Sequence, residues 1–219
     1  MKNKTFKVIY LVLAILPLIA TIILLPSMQN QIPVHYNAAG MVNRWGSKYE
    51  SLLMPVITIV TAIIFFIINK KITEDKKYAG NSKLISYTTF SVISLFSVIS
   101  FIILYMGYNQ IKNLSTTNFY QILSITLSIM FITIGNIMPK SRPNKYIGFR
   151  VKWTRNNDQV WAKTNRLTGI LFVLTGIFGI FSSIFLNGMI SLFLIIILII
   201  LTVIIGCFYS YKIYSKFDK

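Results

Sequence analysis

This chain of 219 residues has very little charge, a single cysteine and a single histidine. Charged side chains make up 12% of it, where an ordinary soluble domain carries about 25%. Three stretches carry no charge at all: between Lys7 and Arg44, between Lys83 and Lys112, and between Arg166 and Lys212. A soluble surface cannot be built from such stretches when apolar residues reach 55% of the whole. The chain is therefore an integral membrane protein. One cysteine, Cys207, excludes an internal disulfide and a zinc site, and with His35 as the lone histidine no His/Cys metal cluster can form. Cys207 reads as a small apolar residue. Paired aspartates, a Ser/His arrangement and a His-Glu-x-x-His site are missing, as is a glycine loop for phosphates. No catalytic residue, cofactor or metal is expected, and the chain is not read as an enzyme.

Six stretches have the roughly 20 apolar residues that a bilayer core takes as a helix. They run over 6–25, 52–69, 84–108, 119–138, 167–186 and 189–211. None has a charged residue in its apolar core, which argues against proton pumps and most secondary transporters. The first follows Met-Lys-Asn-Lys like a signal peptide but lacks a small-x-small cleavage site, so a retained helix is expected. The predicted fold class is all-α: a polytopic membrane protein of six transmembrane helices with both termini cytoplasmic. That orientation rests on how the 22 basic residues divide between the two sides of the membrane. A net charge of +17 would suggest nucleic acid in a soluble protein. Here the basic residues are topology signals, and no direct nucleic-acid contact is expected. Arg44, Lys48 and Lys112 fall on one side, and the other 19 fall on the opposite, cytoplasmic side.

The third and fourth spans are rich in hydroxyls and small groups, among them Ser91, Ser94, Ser97, Ser100, Ser124 and Ser128. Spacing of three drifts around a 3.6-residue helix, so Ser91 to Ser100 cannot share one face. The fifth has a cleaner stripe, Thr175, Gly179 and Ser183, which favours close helix–helix approach. The sixth is apolar all round and is placed at the lipid-facing edge. These features read as packing.

Two loops carry the information. In the outer loop, Ile32 to Tyr36 reads as a short extended piece and Asn37-Ala-Ala-Gly40 as a turn, with Gly40 free to take positive φ. His35, Tyr36, Arg44, Trp45 and Lys48 gather near the membrane surface, either as interfacial anchors or as a cap that recognises something. In the inner loop, Asn157 or Asp158 caps a helix that continues into the fifth span, with Trp161, Asn165 and Thr168 on one face. Tyr146 to Thr154 alternates enough to lie as an extended segment. The loop is strongly basic, which suits anionic inner-leaflet lipids or a protein partner.

Taken together, the two loops resemble known patterns. Ile32-Pro-Val-His-Tyr-Asn-Ala-Ala-Gly-Met-Val-Asn-Arg-Trp-Gly-Ser-Lys48 resembles the IPxHxNxxGxxDxWGSK pattern of a membrane domain of otherwise unknown function. Ile147-Gly-Phe-Arg-Val-Lys-Trp-Thr154, with Trp161-Ala-Lys-Thr-Asn-Arg-Leu-Thr-Gly169, resembles the GxRxxxT…WxxxNxxxG segment of the SdpI family. Its type member is an immunity protein against the sporulation-delay (cannibalism) peptide toxin of Bacillus. The resemblance implies a multi-pass protein of the bacterial plasma membrane that confers resistance to a membrane-active peptide toxin. It further implies signal transduction in which the toxin-bound protein sequesters a cytoplasmic winged-helix autorepressor. Carried onto this chain, the outer, toxin-binding signature is His35, Asn37, Gly40, Trp45 and Lys48. The inner, partner-binding signature is Gly148, Arg150, Thr154, Trp161, Asn165 and Gly169. Asn43 departs from the pattern, which more usually has an acid there for an ion pair or cation site. The expected units are 1–83, two helices with the outer loop, and 84–219, four helices with the basic inner loop. The expected partners are membrane lipids, a peptide toxin and the repressor. The competing readings are a small-molecule or lipid transporter, a lipid-handling protein, and an envelope-stress sensor.

Overall fold

The computed structural model describes residues 2–116 and 118–217, with side chains omitted for residues 2–7 and 116. Of the basic residues counted above, Lys219 and the side chains of Lys2, Lys4 and Lys7 lie outside the described parts. Seven α-helices and one hairpin run in the order α1 (Lys2–Leu24), β1 (Gln31–Tyr36), β2 (Val42–Ser47), α2 (Leu53–Glu74), α3 (Ser82–Tyr108), α4 (Phe119–Ile137), α5 (Lys152–Asn156), α6 (Asp158–Phe185) and α7 (Gly188–Tyr214). Among the described residues six helical segments are long and apolar enough to cross a membrane, as the sequence predicts. All but α5 contribute one each. The side chains that face outward from them are largely Ile, Leu, Val and Phe, the composition lipid requires.

Helix α3 is central and packs against α1, α2 and α4, while α6 packs between α4 and α7. This explains the serines of α3. Ser91, Ser97 and Ser100 are buried, although they lie on different faces, because α3 has neighbours on several sides. Their hydroxyls mostly donate to the carbonyl four residues back in their own helix, as Ser100 does to Phe96 at 2.8 Å. Two also staple helices together. Pro17 in α1 has no N–H, so the Leu13 carbonyl lacks its usual helical donor; the Ser97 hydroxyl reaches across from α3 to it at 2.8 Å. In apolar surroundings such an orphan carbonyl is costly. Thr58 of α2 meets Ser100 at 3.2 Å.

The predicted stripe on the fifth span is buried against α4 and α7. Carbon atoms added at Gly135, Gly169 or Gly176 would strike the backbone of the facing helix. The sixth span, α7, buries one stripe, Ser191, Ile195, Thr202, Gly206 and Ser210, and leaves its remaining apolar surface outward. Asn157 caps α6, its side-chain oxygen accepting from the N–H groups of Gln159 and Val160 at 2.9 and 3.1 Å.

Two expectations need correction or extension. Tyr146 to Thr154 is not extended: the chain bends through 145–149 and then forms α5. The cause is local. Asn144 accepts from the N–H groups of Tyr146 and Ile147, each at 2.8 Å, and donates to the carbonyls of Arg142 and Ile147. These bonds curl the backbone away from any strand. Conversely, the extended piece foreseen at Ile32–Tyr36 has a partner that was not foreseen, β2, which adds a small antiparallel sheet to an otherwise helical fold.

Candidate functional site

The β1–β2 hairpin caps one end of the bundle. Asn37 shapes its turn, accepting from the N–H groups of Ala39 and Met41 at 3.0 Å each. Gly40 follows at φ +75°, as its sequence context predicts. Its carbonyl accepts from Leu114 N–H at 2.8 Å, and Val42 N–H donates to the Lys112 carbonyl at 3.0 Å. The hairpin is thus docked on the α3–α4 connection. Tyr36 strengthens the join by donating its hydroxyl to the Ile111 carbonyl at 2.8 Å. Burial pushes this phenol up from 10.0 to about 12. A raised phenol pKa adds stability that is complete below the unfolded value and lost as pH rises through the folded one. The docked hairpin is therefore expected to loosen between pH 10 and about 12. Hydrogen exchange at residues 31–47 across that interval should accelerate less in Tyr36→Phe than in the wild type, and equal acceleration would refute this role for the phenol.

Three of the outer signature residues face solvent from this frame: His35, Asn37 and Trp45. His35 Nδ1 lies 2.6 Å from Asn43 Oδ1 on the facing strand, so the residue that departs from the family pattern is the partner of the histidine. Trp45 is 42% exposed, and Met41 and Tyr49 beside it in sequence are 46% and 62% exposed. Lys48 is half-buried, with its N–H donating to the Asn30 carbonyl at 3.1 Å. Gly40 is buried in the dock.

The organising residue of this loop, Glu50, lies outside the signature read from the sequence. Glu50 Oε1 accepts from Ser47 N–H at 3.2 Å while Oε2 pairs with Arg44 at 3.2 Å. Gly46 leaves room for that carboxylate, which a β-carbon would strike. The Ser-x-x-Glu spacing of a capping box was the available signal. Beneath the hairpin, a cleft of about 280 Å3 lies between Pro33, Tyr36, Arg44, Met54, Ile103 and Phe119. A second, about 360 Å3, separates the Gly40 turn from the starts of α4 and α7.

At the opposite end, four of the six inner signature residues interlock and a fifth sits at the neighbouring helix crossing. Asn165 on α6 accepts from Phe149 N–H at 2.8 Å and donates to the Trp161 carbonyl at 3.0 Å. Trp161, 1% exposed, donates its indole N–H to the Ser141 carbonyl and hydroxyl, each at 3.1 Å. Gly148, at φ +115°, lets the backbone lie on both side chains, where a β-carbon would come within 2.9 Å of each. Thr154 accepts from Val151 N–H and donates to the Phe149 or Val151 carbonyl, each at 3.0 Å. Gly169 faces Gly135 and Pro139 at the α4–α6 crossing. Arg150 alone of the six is exposed. Tyr78 packs edge-on against Tyr146, and Asn81 accepts from Arg142 N–H at 2.8 Å, so this loop also closes over the α2–α3 connection.

The class of protein is therefore a polytopic six-helix membrane protein with an ordered hairpin cap at one end and a basic, interlocked loop at the other. The comparisons sharpen this. Residues 140–210 match the SdpI/YfhL protein family, and residues 12–59 match a domain of unknown function, DUF1648. The resemblance read from the two loops is borne out, with an SdpI/YfhL segment following a DUF1648 segment in one chain. No curated protein and no solved structure matches the chain.

Proposed function

We propose that the protein gives its bacterial cell resistance to a membrane-active peptide toxin, from the plasma membrane and without catalysis. The observation that supports this most is the SdpI/YfhL match over residues 140–210, a segment that builds the interlocked loop and its supporting helices α6 and α7. With the basic end cytoplasmic, the hairpin cap faces outward. Trp45, Met41 and Tyr49 then offer apolar surface beside Arg44 and Lys48, a chemistry that fits an amphipathic peptide arriving at the bilayer interface. His35, Asn37 and Gly40 hold the cap in shape for it. At the other end Gly148, Thr154, Trp161, Asn165 and Gly169 position the loop that presents Arg150 to a cytoplasmic winged-helix repressor. Signalling requires two states of the bundle with different toxin affinity.

The test is survival of a toxin-sensitive Bacillus strain lacking its own immunity protein, exposed to sporulation-delay peptide with this chain expressed. Wild type should rescue. Trp45→Ala, at equal membrane abundance, should lose about 2 kcal/mol of peptide binding, roughly thirtyfold in affinity. Rescue by Trp45→Ala equal to wild type would remove the cap from the binding site. No rescue by well-inserted wild type would exclude this toxin as the ligand.

A further inference from the structure

The basic end holds a second feature, distinct from the interlocked loop and independent of the toxin reading. Where α6 begins and α7 ends, their surfaces diverge around an open cleft of about 700 Å3. On α6 its wall is Lys163, Arg166, Leu167 and Ile170, at spacings of three, four and seven from the first, so all four share one face. The opposite wall is Tyr209, Lys212 and Ile213, which share a face of α7 at spacings of three and four, with Lys216 and Phe217 from the turn that follows it. Lys163 Nζ lies 5.8 Å from the Phe217 ring centre, which brings the two walls together at the mouth.

The order of side chains along the cleft gives it polarity. Helix α6 runs from the basic end into the apolar zone, so Lys163 and Arg166 stand at the mouth and Ile170 lies about 10 Å deeper than Lys163 at 1.5 Å per residue. Helix α7 runs the other way, so Lys216 and Lys212 stand at the mouth, with Tyr209 deeper. Four cations thus ring an entrance whose floor is aliphatic and aromatic. Among the described residues the cleft wall carries no carboxylate, and none of the four cations has an ion-pair partner. Gathering four like charges in one place is unfavourable without a counter-anion, and the apolar floor fits acyl chain rather than water.

The geometry points to a site for an anionic phospholipid, its phosphate held by Lys163, Arg166, Lys212 and Lys216 and its acyl chains lying along Leu167, Ile170 and Ile213. Basic pockets between membrane helices on the cytoplasmic side recognise anionic headgroups in this way. The site differs from a diffuse attraction of the basic loop to the leaflet, because both helices must contribute to it.

Native mass spectrometry of the full-length protein in neutral detergent tests this, with phosphatidylglycerol and phosphatidylcholine as probes. One phosphatidylglycerol should be retained with about tenfold preference over phosphatidylcholine. In Lys163→Gln/Lys212→Gln that preference should fall to about parity, and Lys163→Arg/Lys212→Arg should keep it. The loop pair Lys140→Gln/Lys145→Gln should also keep it. These positions are exposed, and an unchanged thermal unfolding midpoint in each variant establishes that the fold is intact. Undiminished retention by Lys163→Gln/Lys212→Gln overturns the site. An equal loss in the loop pair overturns it as well, since attraction would then be diffuse. Competition by millimolar glycerol phosphate as complete as that by added phosphatidylglycerol would mean a free phosphate anion is the ligand and overturn the lipid assignment.

Discussion

Replacing Trp161 with alanine is expected to cost about 3–5 kcal/mol, the range for truncating a fully buried large aromatic. The side chain is 1% exposed and carries the backbone of Gly148 against its ring. Its loss would leave a cavity under residues 146–149 and strip the Ser141 carbonyl and hydroxyl of their indole donor. Because Asn165 bonds both the Trp161 carbonyl and Phe149 N–H, the loop and the first turns of α6 should loosen together. Trp161→Phe separates the two contributions: it keeps most of the packing and removes only the N–H donor, for about 1–3 kcal/mol. Thermal unfolding in detergent, with hydrogen exchange over 141–156, reads both. Wild-type unfolding for Trp161→Ala would mean that the loop does not depend on this residue.

The second large effect is expected at the α4–α6 crossing. A β-carbon at Gly135 would lie 2.5 Å from the Gly169 carbonyl oxygen and 2.8 Å from the Val173 nitrogen, both backbone atoms that can yield only if the helices part. Gly135→Ala should therefore destabilise by about 1–3 kcal/mol, the usual cost of overpacking, and Gly135→Leu should prevent a stable bundle. Gly107 in α3 is the control. There a β-carbon meets the ends of the Ile32 and Met28 side chains at 3.1 and 3.2 Å, which can shift. Alanine's better helix propensity, about 1 kcal/mol, should make Gly107→Ala near neutral or stabilising. If Gly135→Ala unfolds at the same temperature as Gly107→Ala, the close crossing is not what holds α4 to α6.

Much of the molecule was legible in the chain because membrane helices announce themselves by length and composition. The six spans, the Asn157 cap of α6, the Asn37–Gly40 turn and the shared face of Trp161, Asn165 and Thr168 all follow from local rules. Less legible was anything that depended on a distant partner. Strand β2 was missed because Val42 to Ser47 shows no clean alternation; its pairing with β1 is irregular beside His35. The bend at 145–149 was read as extended because the deciding bonds belong to Asn144, whose side chain carries no periodic signal. The grip of Glu50 on Arg44 and on the Ser47 backbone needed the hairpin to bring them together.

The sequence by itself determined that this chain lives in a membrane, how many times it crosses, and which stretches form its two ordered connections. Those properties are set by transfer of residues between water and lipid, which depends on composition and length. Only the tertiary structure decided which signature residues are committed to holding the fold and which remain available to bind. Trp161, Asn165, Thr154 and Gly148 are enclosed in one interlocked cluster, while Trp45 and Arg150 stand exposed. It also decided that Lys163 and Arg166 share a cleft with Lys212 and Lys216, more than forty positions along the chain. Burial and charge clustering are properties of neighbours in space, and in a helical membrane protein those neighbours are chosen by how the helices pack.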